Sequence, residues 1–249
     1  MIEINNVHKI FNRGQVNEVV ALADVSLRMG EGEFAVVIGA NGSGKTTLLN
    51  ILAGSVLPSE GRILIHGEEV TLLPEYRRSR WVARVFQDPL GGTAPELSIL
   101  DNFRLAALRT RSKGLRIGVD SVFRQQVREL ISTLGLGLEN KIQQPIGSLS
   151  GGQRQALTLL MSTMDHTDIL LLDEPTAALD PKSAEVVMET ARRLISAQGL
   201  TTLLITHNLR DAHRYGERLI QMSEGRIMRD LKGDEKTGLR METMLGWFV

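Results

Sequence analysis

Cysteine is absent from the 249 residues, so disulfides and thiolate metal sites are excluded and a reducing compartment is the expected setting. Net charge is lacking too. Lys plus Arg and Asp plus Glu each total 29, so there is no global basic field to hold nucleic acid through its phosphates, and no nucleic-acid partner is expected. No apolar run approaches the length of a membrane span, and Met1-Ile2-Glu3-Ile4-Asn5 lacks the charged-then-apolar layout of a signal peptide. The expectation is a protein soluble by itself, whose membrane association would come through a partner. Internal repeats, low-complexity tracts and long linkers are also missing, and the length suits one α/β domain, with or without an insertion.

What is present begins with Gly39-Ala40-Asn41-Gly42-Ser43-Gly44-Lys45-Thr46-Thr47. It follows the apolar run Phe34 to Ile38, read as a buried strand, and precedes Leu48 to Leu52, read as a helix. Strand, glycine-rich turn and helix make the context of a P-loop. A turn without Cβ atoms brings several backbone N–H groups to phosphate oxygens at the positive end of a helix dipole. Lys45 adds a point charge for the β and γ phosphates, and the Thr46 hydroxyl is a hard oxygen ligand for Mg²⁺. The pattern is expected by chance in roughly one chain in a hundred of this length, so an ordinary glycine-rich loop is the weaker reading.

Around this unit, 2–11 and 19–29 read as antiparallel strands, 61–67 and 81–86 as further strands, and 97–108 and 121–134 as helices. The segment 88–147 has the character of a helical insertion, with a basic stretch at 109–116 that reads as a solvated loop. Helix and strand alternate again after Ser150: 153–164 helix, 169–172 strand, 181–197 helix, 201–206 strand, then a closing hairpin around Glu224-Gly225.

Two more stretches carry chemistry. Asp173 and Glu174 end an apolar strand, and adjacent carboxylates there are costly unless they serve a cation or a proton. Asp173 is placed to hold Mg²⁺ through its water shell, and Glu174 to orient or deprotonate an attacking water. Leu149-Ser150-Gly151-Gly152-Gln153 precedes a helix and forms a second anion-binding N-terminus, which a single nucleotide held at Gly39 to Thr47 does not need.

With these stretches in this order, the chain resembles the nucleotide-binding subunits of ABC transporters over nearly its whole length. In that resemblance Gly39 to Thr47 is the Walker A loop, Gln87 the Q-loop, Leu149 to Gln153 the signature, and Asp173 with Glu174 the Walker B pair. Ala178-Leu179-Asp180 corresponds to the D-loop, His207 to the switch histidine, and Phe11 to the aromatic that stacks on adenine, where Tyr is more usual. The family often has Ser where Ala177 stands, which puts a side-chain contact in doubt.

The resemblance implies an α/β P-loop ATPase: an ABC-type core with an N-terminal antiparallel β subdomain and an inserted helical subdomain at 88–147 of a single domain, 1–249. It implies ATP and Mg²⁺ as cofactors, with Thr46, Gln87 and Asp173 around the metal and Lys45, Glu174 and His207 as the catalytic set. It also implies a head-to-tail dimer in which the signature of one copy closes over the nucleotide of the other. The expected partners are a second such subunit, a separate integral membrane permease and an extracytoplasmic substrate-binding protein, with the chain on the cytoplasmic side of the cell membrane. The segment 87–103, QDPLGGTAPELSILDNF, looks like that of ATPases grouped with aromatic-amino-acid importers. The rivals are an ABC-type ATPase acting on nucleic acid or ribosomes and a non-catalytic nucleotide-binding module. The first usually carries tandem cassettes or long coiled-coil insertions, which this chain lacks.

Overall fold

The computed structural model describes residues 1–110 and 118–248; of the basic stretch at 109–116, residues 111–116 lie outside the described residues. In chain order the elements are β1 Ile2–Phe11, β2 Val19–Met29, β3 Phe34–Ile38, α1 Lys45–Ala53, β4 Glu60–Ile65, β5 Glu68–Glu69, α2 Glu75–Arg78 and β6 Val82–Val85. They continue with α3 Ile99–Ala106, α4 Ser121–Ser132, α5 Gly151–Ser162, β7 Ile169–Asp173, α6 Pro181–Gln198 and β8 Thr201–Ile205. Last come α7 Leu209–Arg214, β9 Arg218–Ser223, β10 Arg226–Lys232, α8 Asp234–Thr237 and α9 Met241–Leu245. The chain divides into two compact units: Met1–Arg78 with Leu171–Glu174 and Gly199–Val249, and Ser79–Leu170 with Pro175–Gln198.

In the first unit, an antiparallel sheet runs in the order β2-β1-β4-β5. Ile2 and Ile4 on β1 face the core opposite Met29 and Leu27 of β2 and Ile65 and Ile63 of β4. The inward alternation predicted from the sequence breaks at Asn5-Asn6, where the register shifts before Val7. Asn6 takes a φ of +49°, its N–H donates to Ser26 Oγ at 2.9 Å and its amide donates to Asp24 Oδ1 at 2.8 Å, so the bulge is held by side chains.

The second sheet of this unit has the order β10-β9-β3-β8-β7. β3 pairs in parallel with both β8 and β9 and is buried along its whole length, as its unbroken apolar run requires. β9 and β10 form an antiparallel hairpin whose tip residues, Glu224 at φ +48° and Gly225 at φ +72°, make the left-handed pair that suits a two-residue hairpin.

Two buried cations fix this unit. Arg218, 3% exposed, donates to both oxygens of Asp230 at 2.6 Å, to Glu33 at 2.9 Å and to the Arg28 carbonyl at 2.7 Å, joining β9, β10 and the β2–β3 turn. Burial raises the Glu33 carboxyl, but the Gly30 N–H, Arg218 and Lys232 outweigh it and leave the group below the usual carboxylate range. Arg78 is fully buried and has no carboxylate partner among the described residues. It donates to the carbonyls of Ile51 at 2.5 Å, Leu52 at 3.1 Å, Leu73 at 2.9 Å and Thr71 at 2.9 Å. Ile51 and Leu52 end α1, so the guanidinium occupies the negative end of that helix; burial pushes it down to about 10.

In the second unit, β6 neighbours the start of β7, and the N–H groups of Asp168 and Ile169 donate to the Trp81 carbonyl at 2.9 Å. Helices α3, α4 and α6 pack on α5, burying Phe103, Val127, Leu157 and Leu160. Among the described residues no helix is long and apolar enough to cross a membrane. The short helices α2, α7, α8 and α9 are additions to the elements expected from the sequence.

Candidate functional site

The glycine-rich loop sits between β3 and α1 in the first unit, and its shape comes from the strands around it. Gly225, at the hairpin tip, donates its N–H to the Ser43 carbonyl at 3.1 Å and accepts from the Ala23 N–H at 2.9 Å. The loop is thereby tied to both β2 and the β9–β10 turn. Gly44 has a φ of +97°, and a Cβ there would lie 2.5 Å from the Ala21 carbonyl oxygen, so glycine is required by both conformation and space.

Lys45 is 6% exposed and folds back on its own loop, donating to the carbonyls of Gly39 at 2.8 Å and Ala40 at 2.9 Å. Two of its three protons are used, and one remains for a ligand. Burial lowers its pKa, and the nearby charges of Glu174 and Asp173 act against that. Ser43 Oγ is buried and has no hydrogen-bond partner among the described residues. An orphaned hydroxyl in a loop of backbone N–H groups matches a phosphate ligand. Asn41, Gly42 and Thr46 are exposed and Thr47 is half-buried.

Asp173 is buried at the end of β7. Glu174 follows with a φ of +45°, uncommon for a residue with a side chain, and its N–H donates to the Ile205 carbonyl at 3.0 Å. This anchors it to the end of β8, two residues before His207. The His207 Nδ1 lies 3.0 Å from Glu174 Oε2. A carboxylate in its ionised form only accepts, so the contact then calls for the Nδ1–H tautomer, which leaves Nε2 for a second partner. Phe11, at the end of β1, is 37% exposed, pairs with Val19 and has the Lys9 ammonium 4.8 Å from its ring centre.

The second unit holds the other expected residues. Gln87 is exposed just beyond β6. Ser150 caps α5 in a reciprocal box: the Gln153 N–H donates to Ser150 Oγ at 3.3 Å, and the Ser150 N–H donates to Gln153 Oε1 at 3.2 Å. Gly151 and Gly152 thus open the helix itself, earlier than the start at Gln153 read from the sequence. A Cβ on Gly152 would lie 2.4 Å from that of Ser183 on α6, so this glycine also answers a packing need. Asp180 accepts from the N–H groups of Lys182 and Ser183 at 3.1 Å, capping α6 ahead of Pro181; the Ser183 hydroxyl and N–H hold its carboxyl below the usual range. The first unit therefore brings Gly39 to Thr47, Asp173, Glu174 and His207 to the ends of neighbouring strands, the rim where α/β sheets bind ligands.

Residues 22–177 match the ABC transporter family. The chain belongs to that family. A tyrosine transport ATP-binding protein of Clostridioides difficile is 38% identical over 100% of this chain and 98% of its own length. A lipoprotein-releasing system ATP-binding protein of Caulobacter vibrioides is 33% identical over 93% of this chain and 96% of its own. Among solved structures, an ATP-binding cassette in a dimeric post-hydrolysis state with ADP and Pi aligns with a TM-score of 0.80 at 30% identity, covering 93% of this chain and 98% of that one. The fold is the α/β P-loop fold of ABC ATPase cassettes, and the chain is an ATP-binding subunit and an ATPase.

Sequence reasoning missed the residues that support the site. Gln155 is an amide within an apolar helix, and Arg78 is one arginine in a run of them; neither pattern discloses a partner. The Ser150-to-Gln153 spacing of a capping box was the one available signal.

Proposed function

We propose that two copies of the chain pair head to tail around ATP and drive a separate membrane permease that imports a small solute, an aromatic amino acid being the favoured class. The observation that carries this reading is the pairing of a phosphate loop and a Glu174–His207 couple in one unit with a second anion-binding helix start, Ser150 to Gln153, in the other. One nucleotide held at Gly39 to Thr47 does not need the last, and in this reading it serves the nucleotide held by the partner subunit.

In this reading the backbone N–H groups from Gly39 to Thr47 and the third proton of Lys45 take the phosphates, and Phe11 stacks on adenine. Glu174 and His207 align water for in-line attack on the γ-phosphate. Lys45 and Ser150 of the partner subunit offset the developing charge, and Asp180 lies at the dimer contact. The donors near the loop are oxygens, the Thr46 hydroxyl and the Asp173 carboxylate, which suit a hard cation. Thr46 and Asp173 would hold Mg²⁺, whose charge neutralises the phosphate oxygens; Gln87 joins them on the strength of the resemblance alone. The chain is read as one domain, 1–249, in which 88–147 is an inserted helical subdomain that passes closure to the permease at the cytoplasmic face. An extracytoplasmic binding protein would deliver the solute. The importer assignment is supported by the tyrosine-transport relative and by the 87–103 segment.

Purification of the tagged chain from native membranes tests this reading. An integral membrane permease should accompany it and raise its ATP hydrolysis. Co-purification with ribosomal or nucleic-acid components and no membrane protein would contradict it, as would ATP binding without phosphate release in the presence of the permease.

A further inference from the structure

We propose that Gln155 is a positioning residue that ties the Gln87 loop to the start of α5, and that its amide governs ATP-driven closure and not nucleotide binding. The inference rests on the pairing reading above. Gln155 is fully buried in α5 beside Ala156 and Leu157, which are equally buried. Its Nε2 donates to the carbonyl of Phe86 at 2.8 Å, the residue that precedes Gln87, while its Oε1 has no hydrogen-bond partner among the described residues. A buried amide left half-paired is costly for packing alone; an apolar side chain of the same length would fill the space, and the only bond lost among the described residues would be the one to the Phe86 carbonyl.

The surroundings extend this link. A Cβ on Gly92 would touch Thr158 Cγ2 of α5 at 3.1 Å, and one on Gly91 would touch the Phe86 side chain at 3.4 Å, so the loop after Gln87 is seated on the same helix. Arg154 donates to the carbonyls of Leu149 at 2.8 Å and Gly147 at 3.2 Å, holding the chain that leads into Ser150. Gln155 is three residues past Gly152, about 4.5 Å of helix rise. The six residues Ser150 to Gln155 therefore carry the cap, the grip on the incoming chain and the grip on the exit of β6. A packed helix moves as a body, so a displacement of Phe86-Gln87 is transmitted to Ser150 and Gly151 through this amide.

The test uses the full chain with Gln155→Met, which keeps length and loses the donor, and Thr158→Val, which removes the Thr158 hydroxyl's bond to the Arg154 carbonyl on the same helix. Affinity for a fluorescent ATP analogue, ATP-driven dimerisation in the Glu174→Gln background, and kcat and KM for ATP are measured beside the melting temperature. Gln155→Met should keep nucleotide affinity and KM within about twofold while dimerisation weakens and kcat falls about tenfold, the cost of leaving one half-buried carbonyl unpaired. Thr158→Val should leave all of these within about twofold. Wild-type dimerisation and kcat in Gln155→Met overturn the proposal. So does a parallel loss of nucleotide affinity and folded fraction, or failure of both Gln155→Met and Gln155→Leu to fold, which makes the residue a packing element. A wild-type chain that does not dimerise on ATP overturns the pairing reading and this inference with it.

Discussion

Replacing Glu174 by Gln isolates one proton acceptor with little structural disturbance. Gln has the same length, its amide oxygen can still accept from His207 Nδ1, and the Glu174 N–H bond to the Ile205 carbonyl belongs to the backbone. The φ of +45° is equally unfavourable for either side chain, so stability should change by less than about 1 kcal/mol. What disappears, in the proposed mechanism, is the base, and general-base catalysis is worth about 10²- to 10⁴-fold, or roughly 3 to 5 kcal/mol of barrier. In the proposed mechanism a negative charge facing the triphosphate disappears as well, so ATP affinity should stay the same or tighten. Steady-state phosphate release, equilibrium binding of a fluorescent ATP analogue and light scattering with excess ATP read the three consequences separately. The expected result is a hydrolysis rate lowered at least about 100-fold, binding intact, and a stable dimer. Hydrolysis within about twofold of wild type would remove Glu174 from the chemistry and refute the reasoning.

Glycines 151 and 152 should part company on substitution. Gly152→Ala places a Cβ 2.4 Å from the Cβ of Ser183 and should cost about 1–3 kcal/mol by overpacking, whereas the Gly151→Ala methyl meets Leu179 at an ordinary 3.4 Å; urea denaturation of the two variants compares them. Lys236, 6% exposed, donates to the carbonyls of Tyr215 and Gly216, and burial pushes its ammonium down to about 8 from the 10.5 of an exposed lysine. The unfolded chain binds more protons between those values, so this group's contribution to stability grows as pH rises from about 8 toward 10.5 and is lost as pH falls through about 8. Lys236→Met should therefore flatten the difference in unfolding free energy between about pH 7.5 and 9.5 by on the order of 1–2 kcal/mol; an unchanged difference would contradict the assignment.

The parts legible in the sequence are those where chemistry restricts residue choice at fixed offsets. Gly39 to Thr47 could be read because glycines, a lysine and a hydroxyl have to recur at set positions, and Glu224-Gly225 because a tight hairpin requires positive φ. The unbroken apolar runs at 34–38 and 169–172, and the β-branched and apolar stretch at 201–205, gave the central strands for the same kind of reason, burial on both faces. Helix α7 has six residues, too few for a 3.6-residue period to declare itself, although Asn208 caps it by accepting from the N–H groups of Arg210 and Asp211. The bulge at Asn5-Asn6 depends on Asp24 and Ser26, far along the chain. Arg78 and Gln155 act through main-chain carbonyls, which every residue possesses, so no side-chain pattern marks their partners. Ser150, Gly152 and Asp180 have second duties of which the Ser150-to-Gln153 spacing was the one sign in the sequence. Their hydroxyl, missing Cβ and carboxylate read as ligand chemistry in the sequence, and in the folded chain they also cap and pack α5 and α6.

The claim beneath the mechanism is that Glu174 and His207 of one copy work on a nucleotide completed by Ser150 to Gln153 of another. Specific ATPase activity measured against chain concentration, with light scattering on the same samples, tests it most directly. The account predicts that activity per chain rises with the dimer fraction and vanishes with it on dilution. Full activity per chain in samples shown to be monomeric would contradict it.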